Sequence, residues 1–399
     1  MSRFGNICES EIIREIEKST PENTKKSHSS IWNQFSEFCK QRNFDLETEQ
    51  SVENVAGILM DWGFNMKKQN GEDYKEYVVK TMWNTTAKML QTMYYEKFNV
   101  TFNPFTDLAF KKSRDARNSK RKNLQGNLEK RKNSSTALTK SEIVKMASIW
   151  DENSPIGLLK RFFHIAAYEL AWRGGEGANC KVHYFKEEKS NNGDLTGRIE
   201  YNTVFSKTCQ GGSNKCCDSK WLIKNKENPS ICPVTLFYKI LSHRPNHITT
   251  DRLFITPNPF WKNNSSKGWY KNVPIGVNEI LKWTKISAEK IGLDTKNKKI
   301  SNHSHRSSAV STLAKAGINE QELIKITGHS SSKSIKPYLQ LDNEHHSQLV
   351  TNLRASDNEL ATVSTTSMSM SSTKPASVKE QMSTGPIVYN NCIFNNCSF

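Results

Sequence analysis

Three stretches near the start of the chain space their apolar residues as helices do. In HSSIWNQFSEFCKQRN, the positions Ile31, Trp32, Phe35, Phe38 and Cys39 fall on one face at a 3.6-residue period. Val52, Val55, Ile58, Leu59 and Trp62 make a second stripe, and Val79, Met82, Trp83, Thr86, Leu90 and Met93 a third. Stripes of this kind need covering, which predicts a small helical bundle over residues 27–110, preceded by an arm over 1–26. After Phe110 the pattern stops. KKSRDARNSKRKNLQGNLEKRKNSS holds almost no apolar residue and could not bury a core of its own, so residues 111–135 read as a basic linker or an exposed basic helix.

Periodicity resumes in a second domain, residues 136–350. Thr139 and Glu142 form a capping box ahead of Ile143, Met146, Ala147 and Trp150. A long apolar helix is predicted from Ile156 to Trp172, ending at Arg173-Gly174-Gly175-Glu176. Three β-like runs follow, CKVHYFK, RIEYNTVFS and SKWLIK, with the turn-rich NNGDLTG between the first two; a three-stranded antiparallel sheet is the simplest arrangement. Helices return with PVTLFYKIL, with the stripe Val277, Ile280, Leu281, Thr284 and Ala288, and with Ser307–Ala316 stopping at Gly317. Asn319 and Glu322 cap one more, leading to Gly328-His329. The fold class is therefore mainly α with a small antiparallel sheet (α+β). Residues 351–399 form a Ser, Thr and Met-rich tail with the composition of disorder, closed by a strand-like alternation in Ile387–Phe399 that needs a sheet edge, its own or a neighbour's.

Composition narrows the partner. Lys plus Arg outnumber Asp plus Glu by 57 to 40 in 399 residues, a formal charge of +17, which draws polyanions and makes nucleic acid the leading candidate. The basic run is a candidate phosphate-contacting strap through Lys111, Lys112, Lys120, Arg121 and Lys122, or a nuclear import signal. No stretch approaches the ~20 apolar residues that cross a bilayer, and the polar start lacks a secretory core, so no membrane partner is expected and the protein reads as soluble and intracellular. Nine cysteines without regular spacing fit reduced thiols. Cys209, Cys216, Cys217 and Cys232 lie close in sequence with His243, but no CxxC pair occurs there; they read as small buried residues, and no metal or cofactor is assigned.

Candidate chemistry concentrates in NHSHRSSAVSTLAKAGINEQELIKITGHSSSKSIKPYLQL. His303 and Arg306 stand three apart at a helix start, on one face, where they can share an oxyanion such as a phosphodiester. Gly328-His329 follows, and Tyr338 comes nine residues after that histidine. Taken with Arg173 in Trp172-Arg173-Gly174-Gly175-Glu176 and Lys207 after the second strand run, this order resembles the catalytic domain of tyrosine recombinases: Arg, Lys on a β-turn, His-x-x-Arg, His or Trp, Tyr. The resemblance spans roughly residues 136–345, and the preceding bundle suits that family's core-binding domain. The strand spacing and the Cys232-Pro233 segment look most similar to Crypton-type eukaryotic elements and genes derived from them, which implies a nuclear location.

The resemblance implies DNA cleavage by Tyr338 to give a 3′-phosphotyrosine and a free 5′ hydroxyl, without metal or cofactor, and four protomers on two duplexes for strand exchange. Arg173 and Arg306 would take the charge that builds on the non-bridging oxygens. His303 would accept the tyrosine proton, Lys207 would protonate the leaving oxygen, His329 would hydrogen-bond the phosphate, and Glu176 would hold the arginine from behind. Lys215, Lys220 and Lys224 compete with Lys207 for its role, and His305 competes with His303, although the spacing to Arg306 favours His303. Pro337 departs from a regular helix before the nucleophile and places Tyr338 near a helix start or on a kinked segment. The same residues would serve a type IB topoisomerase, and a domesticated, non-catalytic DNA-binding protein could keep the fold.

Overall fold

The computed structural model describes residues 5–131, 133–203, 219–262, 268–329, 331–339 and 346–354, together with the backbone of 388–389 and 392–393. The chain divides into two units, Met1–Tyr338 and Leu339–Phe399.

In the first unit, helices begin before residue 27. α1 (Glu9–Ser19) ends at Thr20, and Pro21 opens α2 (Glu22–Gln41). α3 (Val52–Asn65), α4 (Glu76–Phe98) and α5 (Lys111–Gly126) complete a bundle whose core includes Phe35, Leu59, Trp62, Trp83, Leu90, Tyr94 and Phe110. Gly63 gives α3 and α4 a close approach, for a Cβ there would lie 2.9 Å from the Trp83 ring; that indole donates to the Leu59 carbonyl at 3.0 Å.

The basic run is not a linker. It is α5, packed on α3 and α4, with Ser113 and Leu124 buried and the Ser113 hydroxyl donating to the Ala56 carbonyl at 2.5 Å. Lysine and arginine stems supply the apolar cover that the sequence lacks, while their heads find partners on the bundle. Arg117 lies 4.4 Å over the Trp83 ring and donates to Asn84 at 2.9 Å; Lys120 pairs with Asp73 at 2.7 Å and Arg121 donates to Glu76 at 2.7 Å.

The second domain follows the predicted order. Thr139 and Glu142 make the reciprocal capping box of α6 (Lys140–Ser148), and Ser154 caps α7 (Pro155–Glu169). β1 (Phe185–Lys189), β2 (Leu195–Tyr201) and β3 (Lys220–Ile223) form the antiparallel sheet in that order, with Phe185 opposite Tyr201 and Tyr201 opposite Lys220. α8 (Pro233–Ser242) precedes a ribbon absent from the sequence reading, β4 (Ile255–Pro257) with β5 (Tyr270–Pro274). α9 (Val277–Lys290), α10 (His303–Lys315) and α11 (Glu320–Thr327) complete the domain. α9 buries Trp283, whereas Leu281 of the predicted stripe is exposed. Phe163 meets Trp283 and Phe254 edge-on at 5.4 and 5.9 Å, aromatic contacts worth about 0.5–1.5 kcal/mol each beyond burial.

His305 belongs to this core and not to the site. Its Nε2 stands 3.1 Å from His164 Nδ1, and His164 Nε2 stands 2.8 Å from the Ser287 hydroxyl, which accepts from Trp150 at 2.9 Å. Burial holds the His164 pKa well below its ordinary value and that of His305 at about 4. Unfolding restores values near 6.5 and so takes up protons in acid. Stability from this pair is complete above about pH 6.5 and declines as the pH falls toward about 4. Urea midpoints measured down this range should drop more steeply for the wild type than for His305→Gln, which keeps a polar partner for His164 but cannot titrate. Parallel curves would place the acid sensitivity elsewhere.

The second unit holds a helical stretch at 346–354 and a small hairpin. β6 (Val388–Tyr389) pairs antiparallel with β7 (Cys392–Ile393), so this part of Ile387–Phe399 supplies its own partner strand instead of presenting one long edge.

Candidate active site

The site gathers the C-terminal ends of α7 and α11, the start of α10 and the turn that carries Tyr338. α7 stops at Glu169, short of the predicted Trp172, because Ala171 adopts the left-handed conformation with φ +47°. That geometry normally falls to glycine or asparagine, and an alanine held there stores strain of roughly 1–2 kcal/mol. The turn leaves the last carbonyls of α7 without helical partners, and cations take them: Lys220 from β3 donates to the Leu170 carbonyl at 2.5 Å, and Arg306 from α10 to the Ala171 carbonyl at 2.8 Å.

Arg173 begins the next turn. Its Nη1 donates to Glu176 at 2.8 Å and its Nη2 to the Gly328 carbonyl, at the left-handed end of α11, at 2.6 Å. Glu176 also accepts from the Arg173 backbone N–H at 2.9 Å, so one carboxylate fixes both ends of the residue. Burial pushes the Glu176 carboxyl up, but the Lys220 charge and the hydrogen bonds from Arg173 outweigh it and hold the group below its usual value. Gly177 is required by packing: a Cβ there would fall 2.6 Å from the Trp172 ring and 2.9 Å from Phe163.

α10 brings in His303 and Arg306 from one face. Its start is pinned to α9 through Asn302, which accepts from Thr284 at 2.6 Å and donates to the Ile280 carbonyl at 3.1 Å. Tyr338 ends a 3-10 turn over Lys336–Tyr338, consistent with Pro337 excluding a regular helix. Ile335 is fully buried and anchors the turn, while Ser311 of α10 donates to the Tyr338 carbonyl at 2.9 Å. The phenolic oxygen then lies 2.8 Å from His303 Nε2, and the His329 ring packs beside it with centroids 5.5 Å apart.

Both histidines are poised to be neutral. Burial, then the charges of Arg306 and Arg173, depress the His303 pKa; burial and the same arginines bring His329 to about 3. Neutral His303 can accept a proton from the Tyr338 hydroxyl. The His329 Nδ1 is engaged by the Thr327 hydroxyl at 2.6 Å.

Arg173, Glu176, His303, Arg306, His329 and Tyr338 are thus brought together. Lys207 lies outside the described residues, as do Cys209, Cys216 and Cys217. Of its described rivals, Lys220 stands at the site, and the Lys224 side chain packs against Gly197. Cys232 is buried, and no cluster of metal-ligating side chains occurs among the described residues. The DNA-binding candidates split: Lys112 and Lys122 are exposed, Lys111 pairs with Asp115 at 2.8 Å on the surface, and Lys120 and Arg121 are turned to Asp73 and Glu76. Sequence reasoning missed Ala171 and Thr327; neither residue type signals a role, and only the backbone angle and the fold reveal them. No described helix is long and apolar enough to cross a membrane.

No protein-family model matches the chain, and no curated protein does. Among solved structures it is similar to an XerA recombinase, at 13% identity and a TM-score of 0.38, covering 86% of this chain and 96% of that one. It is also similar to a Tn1549 transposon integrase in complex with transposon right end DNA, at 14% identity and a TM-score of 0.49, covering 86% and 98%. A lambda integrase dimer bound to a COC′ core site matches at 12% identity and a TM-score of 0.46, covering 84% and 96%. At such identities and scores, the chemistry of this chain rests on its own side chains.

Proposed function

We propose that this protein cuts and rejoins double-stranded DNA as a site-specific tyrosine recombinase, with Tyr338 forming a transient 3′-phosphotyrosine. The observation that carries this reading is the 2.8 Å hydrogen bond between Tyr338 Oη and a neutral His303 Nε2, set beside Arg173 and Arg306. A solvent-side structural tyrosine needs no such base, whereas a phosphodiester needs a nucleophile, a proton acceptor and fixed positive charge together.

In the forward step Tyr338 Oη bonds to phosphorus as its proton passes to His303 Nε2. The bond from phosphorus to the 5′ oxygen breaks, and that oxygen takes a proton from Lys207, the assigned acid. Arg173 and Arg306 stabilise the equatorial oxygens; both are already held by helix-end carbonyls, so little reorganisation remains. The reverse step, with a different 5′ hydroxyl, rejoins the strand. A tetramer on two duplexes, a Crypton-type affiliation and a nuclear location complete the proposal.

A duplex nicked close to the scissile phosphate tests it, because the short fragment diffuses away and strands the covalent complex. Denaturant-resistant adducts, followed by transfer of the strand to a second duplex, are the expected result. Relaxation of supercoils without transfer would favour a topoisomerase, and binding without adduct a non-catalytic DNA-binding protein.

The basic helix α5 makes a separate expectation. Replacing exposed Lys112 and Lys122 with Ala should flatten the dependence of log affinity on log salt by about one unit per lost phosphate contact, for all sequences alike. Replacing Lys120 and Arg121 should lower the stability of the bundle, since those side chains already hold Asp73 and Glu76. Salt titrations and urea melts of the two double variants separate these effects; an unchanged slope for the first pair returns α5 to a purely structural role.

A further inference from the structure

Thr327 Oγ1 has two neighbours within hydrogen-bond distance, the Leu323 carbonyl at 2.5 Å and His329 Nδ1 at 2.6 Å. The hydroxyl has one proton, and a carbonyl oxygen can only accept. The proton therefore goes to Leu323, and the contact with His329 is satisfied only if Nδ1 carries a hydrogen and donates to the threonine oxygen. In the neutral ring Nε2 then bears a lone pair. Thr327 is fully buried, so no solvent competes for its hydroxyl.

We propose that Thr327 is a positioning residue: it fixes neutral His329 as the Nδ1–H tautomer, so that Nε2 hydrogen-bonds the scissile phosphate only after taking up one proton from solvent. The phosphate part of this inference rests on the recombinase reading above; the tautomer part does not. His329 is faced by Arg306 and His303 from α10, Arg173 from the turn after α7, Lys220 from β3, and Tyr338 from its own turn. The two arginines and Lys220 oppose a further positive charge while the site is empty. An arriving phosphate supplies the missing negative charge, so phosphate binding and protonation of Nε2 favour one another. The site would then bind the phosphate as a donor set of two guanidinium groups and one imidazolium, and the proton delivered to His329 stays on it through the strand-exchange cycle.

The first test reads the ring directly. In the full chain labelled with 15N-histidine, with His329 assigned by its loss in His329→Gln, the resting protein and Thr327→Ser should show protonated Nδ1 and bare Nε2. Thr327→Val, which keeps the shape and loses the hydroxyl, should move His329 toward the Nε2–H form. Adding inorganic phosphate should load Nε2 with a proton at a pH where the resting wild type has none. An Nε2–H ring in the wild type, a tautomer unmoved in Thr327→Val, or no protonation with phosphate overturns the proposal. The second test compares capture on the nicked duplex from about pH 6 to about pH 8, where the ratio of wild-type to Thr327→Val rates should fall by up to about tenfold per pH unit, the signature of one extra proton. A ratio that does not change with pH, in proteins that do capture DNA, overturns the proposal as well. Failure of every protein to capture DNA at any pH counts against the recombinase reading, and the NMR result still decides the role of Thr327.

Discussion

Tyr338→Phe should leave folding and DNA binding intact and abolish the covalent protein–DNA adduct. The substitution removes one oxygen, and Tyr338 contributes little packing beyond its ring, which Phe retains. Its anchoring is backbone and neighbour: the Ser311 hydroxyl on the Tyr338 carbonyl, and the buried Ile335 three residues earlier. The loss is of the nucleophile itself, so no residual capture is expected above background, whereas a tyrosine that merely shaped the site would lower the rate without eliminating the adduct. Binding assays on intact duplex alongside capture on nicked duplex separate the two cases. An adduct that survives denaturant in Tyr338→Phe would mean that another residue attacks the phosphate.

Arg306→Met should have the second-largest effect and a distinctive pairing of consequences. Arg306 is almost completely buried, and its guanidinium is held against the Ala171 carbonyl beside Arg173 and Lys220. Methionine preserves the stem and deletes the charge. Removing one preorganised donor from a developing oxyanion costs roughly 10²–10³ in rate, and a charged fork should lie at or above the upper end. Stability responds differently. An unpaired carbonyl costs about 1–3 kcal/mol, while removing a buried charge relieves its desolvation cost. These terms oppose, so the urea midpoint should move little while capture collapses. Arg306→Lys should not rescue the rate, because an ammonium cannot span two phosphate oxygens. A variant that unfolds and loses activity together would show that Arg306 is a structural cation instead.

Much of this arrangement was legible in the sequence, and its limits have physical causes. The order Arg173, His303, Arg306, His329, Tyr338 marks the site because helix spacing and glycine stops can be read locally. The choice between His303 and His305 could be made from spacing, and the reason appears in the structure: positions three apart share a face, while His305 turns to His164 in the core. The α5 helix was harder, because its core contacts come from lysine and arginine stems that hydropathy counts as polar. Leu281 and Trp283 exchanged roles because the buried arc of α9 keeps Ile280, Thr284 and Ala288 but turns toward Trp283 and Ser287, and where its edges fall depends on what packs opposite. The left-handed Ala171 was unreadable, since the sequence gives alanine no reason to end a helix; the carbonyls it frees are held by Lys220 and Arg306, far along the chain. Thr327 was overlooked because its two hydrogen-bond neighbours, the Leu323 carbonyl and His329 Nδ1, belong to no motif.

The most direct measurement is to locate the covalent bond. Wild-type protein trapped on a nicked duplex can be digested with protease and nuclease and the nucleotide-bearing peptide sequenced by mass spectrometry. A single modified residue, Tyr338, joined to a 3′ phosphate, is the expected result. A nucleotide on any other side chain, or attachment through a 5′ phosphate, would contradict it.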